Sequence, residues 1–83
     1  MGQVAMLSRG AIHQRPRVLP PLTPRQCELL ALVAEGWQEK QMAAALGIRL
    51  HTVHRHLEDA RGRLGALNGP HAVALALRRG LIE

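Results

Sequence analysis

The stretch from Lys40 to Leu57, KQMAAALGIRLHTVHRHL, constrains this chain more than any other. Met42, Ala43 and Leu46 recur at helical spacing, Gly47 interrupts the pattern, and Val53, Leu57, Ala60 and Leu64 resume it on a second helix. Two amphipathic segments hinged at one glycine predict a helix-turn-helix. Ala43 is small enough to let the helices approach, Gly47 supplies a backbone position where a Cβ would be costly, and Ile48 is placed to plug the corner. Such spacing also arises by chance, so the flanking sequence has to decide it.

Upstream, Thr23 reads as a helix N-cap, with Pro24 in the first-turn position where its missing donor costs nothing. Gln26 is placed to close a capping box with Thr23. Leu29, Leu30, Val33 and Ala34 form the apolar stripe of this first helix, and Gly36 ends it in a left-handed conformation. The second helix runs from Glu39 to Leu46 behind the weak cap Gln38, and the third from about Leu50 to Leu64. At about 100° per residue the third helix divides cleanly: Val53, Leu57, Ala60 and Leu64 share an inward arc, opposite His51, His54, Arg55, Glu58, Arg61 and Gly62. Gly65 stops it, and Asn68, Gly69 and Pro70 form the loop before a fourth helix. There Ala72 to Leu77 is apolar without interruption, which requires two covered faces. Ala72, Val73 and Ala76 are assigned to the core, Leu75 and Ala74 to the opposite side, and Gly80 to the stop after which Leu81 and Ile82 fold back.

LTPRQ, AEG, KQMAAALGI, TVHRHL, RLG and AVALALRRGL follow one another in this order, and together they resemble the LuxR-type (GerE-like) DNA-binding domain of bacterial transcription regulators. The resemblance covers about sixty residues, Leu22 to Leu81. It implies an all-α, four-helix helix-turn-helix domain that is not an enzyme. It further implies sequence-specific binding of double-stranded DNA, with the helix at about 50–64 in the major groove, and dimerisation through the last helix.

Carried over residue by residue, the resemblance assigns DNA contacts to Lys40, Arg49, His51, Thr52, His54, Arg55, Glu58 and Arg61. Lys40 keeps the family's basic residue and either reaches a phosphate or is solvated. Arg49 stands where a capping Ser or Thr is usual, weakening the helix start while placing a cation near the phosphates. His54 replaces a Lys, so its charge varies between about pH 5 and 8. Glu58 repels phosphates unless it accepts from a cytosine amino group or neutralises Arg55 or Arg61. Arg55 either contacts a base or pairs with Asp59 one turn on. Ala74, Leu75 and Arg78 are the expected surface of a weak homodimer. Trp37, the only aromatic residue, stands where the family commonly has an aliphatic one and is expected to cap the core.

Composition agrees with this reading without adding specificity. Eleven Lys and Arg against six acids leave a formal charge of +5 over 83 residues, enough chain for one domain and a suitable sign for a polyanion. A single cysteine, Cys27, excludes an internal disulfide and points to the cytoplasm, here the nucleoid. No apolar run has the length of a membrane span, and no signal-peptide core is present. In HTVHRH, His51 and His54 share a helix face but His56 does not, so neither a metal nor another cofactor is expected. Residues 1–21 carry Arg9, Arg15 and Arg17 with no acid, predicting a basic tail that is either frayed or an arm touching DNA beside the main site. With so little ahead of Leu22, the expectation is a small stand-alone regulator. The rival readings are a helix-turn-helix module that docks on another regulator or on RNA polymerase, and a detached output domain with no autonomous role.

Overall fold

The computed structural model describes residues 22–83, and the basic tail assigned to residues 1–21 lies outside them. Four helices follow in order: α1 Pro24–Ala34, α2 Glu39–Leu46, α3 Leu50–Leu64 and α4 Gly69–Arg78, with no strand among the described residues. Local chemistry sets their ends. At α1 the Thr23 hydroxyl accepts from the Gln26 N–H at 3.1 Å, and Gln26 Oε1 accepts from the Thr23 N–H at 2.9 Å, closing the predicted capping box. At α2, Gln41 Oε1 accepts from the Gln38 N–H at 2.7 Å and partly makes good the poor cap. Asn68 caps α4 by accepting from the His71 N–H at 2.9 Å, and His71 Nδ1 in turn accepts from the Leu67 N–H.

Gly47 takes φ +67°, which a side chain would strain, and turns the chain between α2 and α3. The Ile48 N–H then reaches the Ala43 carbonyl at 3.1 Å, so the corner closes with a backbone hydrogen bond as well as with the Ile48 side chain.

Two apolar clusters meet on α3. Leu29, Met42, Ala43 and Val53 fill the angle between α1, α2 and α3, and they fix the helix-turn-helix itself. Leu22, Leu30, Ala60, Leu64, Ala72, Ala76 and Ile82 join α1, the second half of α3, α4 and the returning C-terminus. Leu57 is half-buried and packs against both. Leu29 and Met42 are fully enclosed, so truncating either to Ala costs about 2–5 kcal/mol, a large part of the stability of so small a domain.

Three side chains lie elsewhere than the sequence pattern placed them. Ala34, in the last turn of α1, is exposed. Trp37 is 39% exposed and forms a wall of a cleft of about 270 Å³ over Leu30, Met42 and Leu57, so it borders the core instead of sealing it. Leu75 is half-buried and packs on the larger cluster: it stands three residues after Ala72 and so shares that flank of α4. The large apolar side chain that α4 exposes is Leu77.

Candidate nucleic-acid interface

The smaller cluster holds α3 by its inward face, leaving His51, His54, Arg55, Glu58 and Gly62 exposed along the outside. Thr52 and Arg61 are half-buried at its margins. Arg49 is exposed just before the first turn, and Lys40 is exposed on α2. The sequence therefore placed these groups on the accessible side of the helix pair.

The start of α3 has no side-chain cap, since Arg49 cannot accept a hydrogen bond. The amides of Thr52 and Val53 both turn back to the Arg49 carbonyl, at 2.9 and 3.1 Å. The remaining first-turn donors face outward at the positive end of the helix dipole, beside a guanidinium. Such a terminus favours an anion.

Charge pairing differs along the helix. Lys40, Arg49 and Arg55 form no ion pair among the described residues, so the Arg55–Asp59 bridge weighed from the sequence is not made. Asp59 accepts instead from Arg63 Nε at 3.1 Å and from Gln26 Nε2. Glu58 accepts from Arg61 Nη2 at 2.8 Å, which selects Arg61 as the cation it neutralises. His54 Nδ1 lies 3.4 Å from Glu39 Oε1 on α2, an ion pair whenever the imidazole is protonated.

Glu39 and Gln26 are the two residues near this surface whose contacts sequence reasoning missed. The signal for Glu39 was a carboxylate in the first turn of α2, but only the crossing of α2 and α3 brings it to His54. Gln26 was assigned to local capping alone. His51, His54 and His56 do not converge, and among the described residues no cluster of His, Cys, Asp or Glu could hold a metal ion. No helix among them is long and apolar enough to cross a membrane.

The sequence pattern of the bacterial regulatory proteins, luxR family, matches residues 20–76. The probable transcriptional regulatory protein SgaR of Hyphomicrobium methylovorum is 47% identical over 57 residues, a match covering 69% of this chain and 27% of that protein. The transcriptional activator protein BjaR1 of Bradyrhizobium diazoefficiens is 39% identical over 75 residues, covering 90% of this chain and 31% of that one. Among solved structures, the transcription factor GerE superimposes with a TM-score of 0.73 at 28% identity, over 81% of this chain and 97% of GerE. This chain thus spans about a third or less of the length of these two curated relatives and nearly all of the GerE structure.

Proposed function

The chain belongs to the luxR family of bacterial regulatory proteins, and from that premise we propose that it binds duplex DNA sequence-specifically to regulate transcription. In this reading α3 lies in the major groove, Arg55 and His54 meet base edges, and Lys40, Arg49 and the uncapped start of α3 grip phosphates. The observation that carries the proposal is the exposed first half of α3. Arg49 and Arg55 form no ion pair among the described residues, at the end of the helix where the dipole also favours an anion. The role is regulatory, with no catalysis, and a duplex DNA partner places the protein in the cytoplasm at the nucleoid. The two clusters draw on all four helices, which supports reading this unit as a small stand-alone regulator.

Selection from a pool of random duplexes tests the reading. An enriched motif is expected. Equal recovery of all duplexes at low salt would instead favour a module that docks on another regulator or on RNA polymerase.

The same reading includes a weak homodimer through α4, with Ala74, Leu77 and Arg78 at its surface and Leu75 half-buried against the larger cluster. One exposed leucine beside an alanine and an arginine makes too small a patch for an obligate interface, which buries well over about 1,000 Å². DNA would therefore assemble the dimer, on half-sites about one helical turn apart. Leu77→Glu is expected to abolish cooperative binding to a two-half-site duplex while the domain stays folded. Leu75→Glu is expected to unfold it. Undiminished cooperativity in Leu77→Glu would move the dimer surface elsewhere.

A further inference from the structure

We infer that Gln26, on α1, is a positioning residue for the recognition helix, acting through Asp59. This rests on the reading of α3 as the helix that enters DNA. Gln26 is the one buried polar side chain among the described residues, 2% exposed, and both ends of its amide are engaged. Oε1 accepts from the Thr23 N–H at 2.9 Å, and the amide nitrogen donates to Asp59 Oδ2, thirty-three residues away on α3. Asp59 holds Arg63 Nε with the same carboxylate oxygen, at 3.1 Å.

Apolar contacts decide which face of α3 is buried, but Val53, Ala60 and Leu64 add no directional bond that pins its rotation within that face. The amide of Gln26 supplies one. It links the cap of α1, where the chain enters the domain, to a fixed point on the flank of α3, and so sets the azimuth at which His51, His54 and Arg55 face outward. The polarity of the pair is also specified. Position 26 must accept from the cap and donate to α3, which an amide can do and a carboxylate cannot; position 59 must accept from both Gln26 and Arg63, which suits a carboxylate. A glutamate at position 26 would keep the cap and set two carboxylates against each other.

A swap of the two groups tests this. Gln26→Glu is expected to lower duplex affinity at neutral pH by about tenfold and to shift the amide resonances of residues 50–55, measured well below the unfolding midpoint. Asp59→Asn alone is expected to have a small effect, since an amide still accepts from Gln26. The double variant Gln26→Glu/Asp59→Asn restores one donor and one acceptor, and it should recover most of the parent's affinity and resonances. Burial and the Asp59 charge raise the pKa of the introduced carboxyl, so Gln26→Glu should gain stability as pH falls through that value and lose it as pH rises.

A double variant no better than the product of the single changes would overturn the inference. So would coupling seen in urea midpoints but absent from the resonances of residues 50–55, since the pair would then support the fold without orienting α3. The resonances are read without DNA: a parent that binds no duplex sinks the DNA reading, while the swap still decides whether the pair sets α3.

Discussion

The two halves of α3 are built from similar residue types and put them to different use. In and just before the first half, Arg49, His51 and Arg55 have no ion pair among the described residues, and His54 alone has an acidic neighbour, which belongs to α2. In the second half every charged side chain is matched: Glu58 with Arg61, and Asp59 with both Arg63 and Gln26. Position along the helix explains this. The C-terminal half has cations where the dipole favours them and carboxylates one turn earlier, the arrangement that closes i,i+3 and i,i+4 pairs. The N-terminal half has cations at the end where the dipole disfavours them, and the acids one turn on, Glu58 and Asp59, are engaged by Arg61, Arg63 and Gln26. Cations left in that position are suited to an external anion, which supports the proposal that the first half recognises DNA and the second anchors the helix.

The largest expected effect tests that division directly. If Arg55 donates two hydrogen bonds to a guanine, Arg55→Ala should cost about 1–3 kcal/mol of affinity and relax the preference at one base pair. Arg61→Ala, which removes a group already bonded to Glu58, should cost less than about 1 kcal/mol and leave sequence preference unchanged. Binding measured for both variants across a panel of single-base operator changes separates the two outcomes. Equal, base-selective losses would extend the recognition surface into the second half.

A smaller effect concerns phosphates. Lys40→Ala and Arg49→Ala should weaken all duplexes alike, and each should flatten the plot of log affinity against log salt by about one unit. Unchanged slopes would mean that these free cations are merely solvated. Smaller again is Glu39→Gln, which removes the carboxylate beside His54 from the side proposed to face DNA. Affinity is expected to rise by about 0.2–1 kcal/mol, while stability falls slightly because a first-turn acid on α2 is lost. Those opposite signs, read by duplex titration and by urea unfolding, distinguish a field effect on DNA from a change in the fold. A fall in affinity would show that Glu39 serves binding by orienting His54.

What the sequence made legible follows the same boundary between local and distant contacts. The bounds of α2 and α3, the Thr23 cap and the turn at Gly47 are set within about one turn of the residues that specify them, and the pattern revealed them. The exposed face of α3 was equally legible, because one period divides Val53, Ala60 and Leu64 from His51, His54 and Arg55. Contacts between helices were not. Whether Asp59 meets Arg55, Arg63 or Gln26 depends on how α1 crosses α3, and whether Leu75 or Leu77 is exposed depends on which flank of α4 the larger cluster reaches. A one-dimensional period carries neither angle. The resemblance to a family supplied the topology, but Gln26 and His54 have partners on other helices that it does not name.

The finest test of the comparison is Gly62, a glycine inside α3 and on its exposed side. Glycine in a helix interior is less favourable than alanine by about 0.5–1 kcal/mol, and a Cβ built there meets no atom within 4 Å. Gly62→Ala should therefore stabilise the domain by that amount, raising Tm by roughly 4–8 °C per kcal/mol for a chain of this size. If the second half of α3 only anchors, duplex affinity should not change. A glycine kept at a cost to stability on a DNA-binding helix has one further use, which is to let a phosphate backbone pass where a methyl group would stand. The two accounts predict the same rise in Tm and differ in binding. A stabilised variant that binds DNA as the parent does supports the division of α3 into a recognising and an anchoring half. A stabilised variant that binds less well would bring the second half into contact with DNA and remove the basis for that division.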